Sequence, residues 1–419
     1  MSAAESRRQQ VLDLVDAQCE PMLALLQRLV RTPSTGGSQA EYSLQHVLEQ
    51  ELRALGLETD LWPIDLPALR EAADFPGEEV ERGEAWGLVG RLPGRGSGRS
   101  LMFNGHVDVV PPGDLAAWTT SDPYSGAFRD ARLYGRGACD MKGGLVAAVW
   151  AIRAIVQSEV NLGGDLLLAS VMGEEDGGFG SYALLRRGWR ADACVIPEPT
   201  GLDIVPANAG ALTFRLRVHG KATHASRRTE GVSALERFWP IWQALHELER
   251  ERNAQVDPLM RRWPVPYALS IGTVRCGDWA SSVPDLLVAE GRLGVALDES
   301  PAAARAAFEA AVQRASAPDA RVDVEWWGGQ FASGRLPAGS DLVERMQAAH
   351  RSATGRQAAV WGAPYGSDLR LLTGLGSIPT IHYGPGNAGL AHGPDESVPV
   401  DEVTTAARAL ALLALDVAG

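Results

Sequence analysis

The chain has 419 residues, 45% of them hydrophobic and 22% charged, which suits one large or two ordinary domains and excludes a disordered polypeptide. Thirty-nine basic against 52 acidic residues leave a net charge of −13, so a nucleic-acid backbone is not the expected partner. Cys19, Cys139, Cys194 and Cys276 form no C-x-x-C pair, so neither a disulfide framework nor a structural zinc knuckle is indicated. The segment MSAAESRRQQVLDLVDAQ is charged where a signal peptide needs an apolar core. No stretch reaches the ~18 apolar residues of a membrane span. The expected location is cytoplasmic, with no membrane partner.

Apolar spacing predicts a helix over residues 9–30, broken near Pro21, and a second through Leu44, Val47, Leu48, Leu52 and Leu55, stopped by Gly56. Strands are expected at 86–92, 100–110, 165–172 and 192–197, with helices at 143–157 and 178–187 between them. Such alternation implies an α/β layer with helices on a mostly parallel sheet. The pattern then changes. Residues 212–219 alternate like a strand, 232–252 read as a long helix, 267–275 and 285–297 as strands, 301–315 as a helix and 321–327 as a strand. This β-α-β-β-α-β order is that of a ferredoxin-like split unit. Helices near 341–354 and 402–417 and a strand at 378–383 resume the first pattern. The fold class is therefore α/β: a catalytic domain of residues 1–209 and 327–419, interrupted by an inserted α+β domain at 210–326.

Candidate chemistry gathers where strands end. His106 and Asp108, two residues apart, can share a strand face, and a carboxylate on one ring nitrogen leaves the other for a metal. The glycine-rich Gly135–Gly144 loop lacks the G-K-[ST] ending of a phosphate loop and places a single acid, Asp140, at a helix start; Cys139 beside it reads as packed. Glu174, Glu175 and Asp176 follow a strand and repel one another unless a cation balances them. Glu198 again lies just past a strand, where ligands collect in open α/β sheets. His392 supplies a second imidazole. Gly384-Pro-Gly386-Asn-Ala-Gly389 matches G-x-G-x-x-G, but prolines follow where a dinucleotide-binding helix should run. Two His and three carboxylates can hold two divalent cations around one bridging Asp. Nitrogen and oxygen donors without thiolate suit Zn2+, with Co2+ or Mn2+ as alternatives. Water between such cations ionises near pH ~7.

The ordered series GHVDVVP, GRGACDMKGG, GEEDGG, EPT and AHGPDESV resembles the M20 metallopeptidase family, with its acetylornithine deacetylases, succinyl-diaminopimelate desuccinylases, aminoacylases and carboxypeptidase G2-like enzymes. The resemblance spans the chain, including Lys221-Ala-Thr-His224-Ala-Ser in the insert. It implies His106 and Glu198 on one metal, Glu175 and His392 on the other, and Asp140 bridging both. It further implies Asp108 as the orienter of His106, Glu174 as general base, a cis peptide at Asp140–Met141, and an insert that acts as lid and homodimer interface. His224 matches the lid histidine that polarises the scissile carbonyl. Members that bind a substrate carboxylate carry Asn three residues before a lid proline. Here Ser281 precedes Pro284, and Arg292 falls about two residues earlier than the usual Arg, on the same strand face. Arg292, Gly384 and Gly386 are the candidate substrate-binding positions.

The expected function is hydrolysis of a small N-acyl compound, such as an N-acyl amino acid, by hydroxide generated at the metals with Glu174 as base. A dipeptidase or carboxypeptidase, and an N-formyl-aminopyrimidine deformylase, are enzyme alternatives. A metal-free scaffold relative is the non-enzyme alternative, which intact ligand positions disfavour.

Overall fold

In the computed structural model, which describes residues 3–120 and 122–419, the expected first helix is two: Ala3–Asp16 and Cys19–Val30. Residues 1 and 2, which open the expected catalytic segment, lie outside the described residues. The break falls at residues 17–18, so Pro21 sits in the first turn of the second helix, where its missing N–H costs no intrahelical bond. Helix Gln39–Ala54 starts at Ser38, whose side chain accepts the Glu41 N–H, and stops before Gly56 at φ +84°.

Contacts group the chain into one unit of Met1–Pro206, Arg335–Trp361 and Leu371–Gly419 and another of Ala207–Gly334 and Gly362–Arg370. Strand Val322–Phe331 runs straight through the expected crossing at 327, so the chain leaves the second unit only after that strand is complete.

The first unit is built on a mixed sheet. Its parallel strands run in the order Leu166–Val171, Leu101–His106, Ala193–Ile196 and Thr380–His382. Trp86–Leu92 joins antiparallel beside Leu166–Val171, Glu58–Pro63 beside that, and Ile204–Asn208 joins antiparallel beyond Thr380–His382. Every residue of Leu101–His106 and Leu166–Val171 is buried, as expected of strands covered on both faces. Helix Gly143–Gln157 is buried nearly all round and packs against Val400–Val417, Ala3–Asp16 and the Leu101–His106 strand. Among the described residues no helix is long and apolar enough to cross a membrane.

The second unit has four antiparallel strands in the order Leu269–Cys276, Leu286–Val295, Gly210–His219 and Val322–Phe331, the ferredoxin-like arrangement. Leu212, Phe214, Leu216 and Val218 alternate onto one face, which helices Ala234–Arg252 and Pro301–Ala315 cover with Phe238, Ile241, Leu245 and Phe308. The Phe214 and Phe308 rings lie 4.5 Å apart. The opposite face carries charge, with Arg215 bonded to Glu290 and Glu325.

Candidate active site

Parallel register decides which side chains meet. Phe103 pairs with Val195, so His106 and Glu198, each three residues further on, reach the same level. His106 pairs with Val171 on its other side, and the chain turns there at Met172–Gly173 to present Glu174 and Glu175. Gly173 has φ +67°, and a Cβ on it would fall 1.9 Å from the Phe179 ring, so that turn requires glycine. Asp140 comes from the loop before helix Gly143–Gln157, with the Asp140–Met141 peptide cis. His392 follows the 3-10 turn Ala388–Leu390 at φ +63°.

Asp140 divides its two oxygens between two imidazoles. Its Oδ1 lies 3.2 Å from His106 Nε2 and its Oδ2 lies 3.6 Å from His392 Nε2. Glu198 Oε1 is 3.8 Å from His106 Nε2, and Glu175 Oε2 is 3.0 Å from His392 Nε2. Two ligands 2.1 Å from a tetrahedral cation stand about 3.4 Å apart. The donor spacing therefore fits divalent cations, as does the all-N/O chemistry of the set. Potential ligand atoms of His106, Asp140 and Glu175 cluster within 4.8 Å of one another, and those of His106, Glu174 and Glu198 do the same.

The electrostatics carry the same signature. Burial and the Asp140 charge raise the Glu175 carboxyl, and the same two causes push Glu198 well up. His392 is raised to about 9 by its bond to Glu175. Burial would lower His106, but the Asp140 bond and the charges of Asp108, Glu198 and Glu174 outweigh it and raise the ring well above the usual imidazole range. The clustered carboxylates favour positive charge beside them, which divalent cations would supply.

Asp108 keeps its carboxylate beside His106, though not by strand alternation. The strand ends at His106, so alternation lapses, and the Asp108 carboxylate Oδ1 stands 3.7 Å from His106 Nδ1. The nearer partner of Nδ1, at 3.0 Å, is the Asp108 backbone carbonyl. A carbonyl only accepts, so Nδ1 carries a proton, and a neutral ring would expose a lone pair at Nε2. The Asp108 Oδ2 instead accepts the Glu175 N–H at 3.1 Å.

His224 and Arg292 lie in the second unit. His224 is exposed, and its Nδ1 accepts the Ser226 N–H at 3.2 Å, so the neutral ring carries its proton on Nε2 as a donor. Ser281 is beside it, accepting the Ala225 N–H. Arg292 is exposed opposite Thr213, its guanidinium 5.8 Å from the Phe331 ring. Gly384 and Gly386 permit close packing: a Cβ on Gly384 would lie 2.3 Å from the Pro197 carbonyl, and one on Gly386 2.7 Å from Cys139 Sγ.

Two groups of supporting residues escaped the sequence reading. Glu396 and Arg136 form a buried pair beneath the Asp140 loop; an acid in the same short motif as His392 was a readable signal for the first. Arg82 is buried between Glu41 and Asp176, at 3.2 and 2.7 Å, and Asp176 also accepts the N–H groups of Glu79 and Val80. Nothing in the pattern around Arg82 marked it.

The model of peptidase family M20/M25/M40 matches residues 102–416. A succinyl-diaminopimelate desuccinylase of Gluconacetobacter diazotrophicus is 32% identical over 402 residues, covering 91% of this chain and 93% of that protein. An N-formyl-4-amino-5-aminomethyl-2-methylpyrimidine deformylase of Bacillus subtilis is 27% identical over 93% of this chain and 92% of its own length. Among solved structures, aminopeptidase PepT of Bacillus cereus superposes with a TM-score of 0.72 at 22% identity, covering 95% of this chain and 98% of that one. Human carnosine dipeptidase 1 gives 0.75 at 16% identity, covering 98% of each chain. The chain belongs to peptidase family M20/M25/M40, hydrolases that act on amide bonds.

Proposed function

We propose that this protein is a dinuclear metal amidohydrolase that removes a small acyl group from an N-acyl amine. The division of the Asp140 oxygens between His106 and His392 carries the reading, because one carboxylate facing two imidazoles is the arrangement of a bridging ligand. His106 and Glu198 would hold one ion, Glu175 and His392 the other, with zinc the best match to the donors and cobalt or manganese able to replace it. Bound divalent cations would supply Lewis acidity and a nucleophile available at neutral pH.

The chain's own groups do the rest. Glu174, only 8% exposed and in one cluster with His106 and Glu198, takes the proton of the attacking water and returns it to the leaving nitrogen. His224 donates from Nε2 to the carbonyl oxygen as negative charge develops there. The second unit serves as lid and homodimer surface. Leu235 and Trp239, one helical turn apart, are 51% and 56% exposed on the Ala234–Arg252 helix, and the Leu269–Cys276 strand is an open sheet edge.

A deacylase is preferred to a dipeptidase because the two relatives named above with the higher identity carry acyl-removing names, whereas the peptidase likenesses rest on fold. Ser281, beside His224 where carboxylate-binding members have Asn, favours substrates without an α-carboxylate as a second reading, which includes N-formyl aminopyrimidines. Zinc-loaded protein offered N-acetyl, N-formyl and N-succinyl amines and a set of dipeptides separates these. Turnover confined to dipeptides would refute the deacylase reading, and turnover only of carboxylate-bearing substrates would refute the second.

A further inference from the structure

Glu396 is fully buried and Arg136 is 1% exposed. Arg136 Nη1 donates to Glu396 Oε2 at 2.5 Å. An ion pair this deep gains little over a well-packed apolar pair, so its other bonds are the informative ones. Glu396 Oε1 accepts the N–H groups of Cys139 at 3.0 Å and of Asp140 at 3.1 Å. Arg136 Nη2 donates to the backbone carbonyl of His392 at 3.0 Å, and to that of Pro111 at 3.4 Å. The Gly135 N–H closes the group on the Glu396 carbonyl at 2.8 Å. One ion pair thus grips the backbones of Asp140 and His392, residues 252 positions apart whose side chains approach to 3.6 Å. His392 is held at φ +63°, a conformation that a residue with a Cβ adopts at a cost its surroundings must cover.

We propose that Arg136 and Glu396 are a positioning pair that holds Asp140 and His392 in register, so that the cation position these two share is preformed in the metal-free chain. The inference rests on the dinuclear reading above. A pair serving stability alone would weaken both cation positions equally; a positioning pair weakens most the one that includes His392, because only there are both gripped residues ligands.

Cobalt(II) chloride titrated into metal-free full-length protein, followed by calorimetry and visible absorption, separates the two. Wild type should take up two ions. Arg136→Lys keeps the charge but lacks the planar fork that reaches Glu396 and the His392 carbonyl together. It should lose ~10–100-fold in affinity for one ion, with a smaller loss for the other, which shares only Asp140, and the thermal midpoint nearly unchanged. Glu396→Gln should do the same. A measurement on metal-free wild type needs no variant: the amides of Cys139 and Asp140 should be protected from hydrogen exchange. Fewer than two ions on wild type would overturn the dinuclear reading, a failure distinct from that of the pair. With two ions on wild type, equal loss at both positions or no loss in Arg136→Lys would overturn the positioning role. Unprotected Cys139 and Asp140 amides would overturn it as well, and they decide the matter if neither variant folds.

Discussion

Replacing Arg82 with Met removes the cation from a buried triad while keeping most of the side-chain volume. The Arg82 and Glu41 side chains are wholly buried and that of Asp176 is 7% exposed, so water cannot take over the guanidinium's role. Removing one partner of such a pair costs about 3–5 kcal/mol, because a charge is left without compensation. Unfolding of the first unit, roughly 280 residues, carries an entropy near 0.6 kcal/mol per kelvin, so the thermal midpoint should fall by about 5–8 °C. Glu41 is the group that yields. Burial and the Asp108 charge already raise its carboxyl from 4.5 to about 7. The unfolded chain releases this proton near 4.5 and the folded chain only near 7, so the contribution of Glu41 to stability declines as pH rises through that window. Loss of Arg82 should raise the folded value further and steepen the decline. Adding Glu41→Gln to Arg82→Met removes the orphaned charge and should recover about 1–3 kcal/mol. Urea unfolding of chelator-treated protein at several pH values, followed by circular dichroism, measures each term without linkage to metal. An Arg82→Met midpoint indistinguishable from wild type, or a double variant no more stable than the single one, would refute the reasoning.

Glu174→Gln preserves shape but cannot accept a proton, so kcat should fall at least ~100-fold with metal content unchanged; a few-fold effect in initial-rate assays would place the base elsewhere. His392→Ala should lower the metal bound per chain in elemental analysis, and full occupancy would count against its role as a ligand. His224→Ala should reduce kcat while metal binding and thermal stability stay near wild type. If His224 acts across a dimer, co-expression of His224→Ala with Glu174→Gln should give active hybrids, and verified but inactive hybrids would exclude that. Trp239→Glu should shift the protein from dimer to monomer in light scattering, and an unchanged mass would remove the helix from the interface.

Local chemistry was legible in the sequence wherever it repeats along the chain. The helices at Gly143–Gln157 and Pro301–Ala315 were predicted to the residue, because their apolar spacing and end signals are local properties. The β-α-β-β-α-β order of the second unit followed from the same patterns, and the five motifs named the family. The strands at Glu58–Pro63 and Ala127–Arg129 left no such trace: one is mostly half-exposed and the other only three residues long, and pairing alone makes them strands. Tertiary structure also decided how Asp108 is used. Spacing of two placed its carboxylate beside His106, where one oxygen stands 3.7 Å from Nδ1. The strand stops at His106, however, so the Asp108 backbone carbonyl comes nearer to that nitrogen and the second carboxylate oxygen takes the Glu175 N–H. Arg82, and the pairing of Arg136 with Glu396, were beyond reach for a related reason. Each joins segments from 41 to 260 residues apart, and a buried charge is distinguishable from a solvated one only when the packing around it is known.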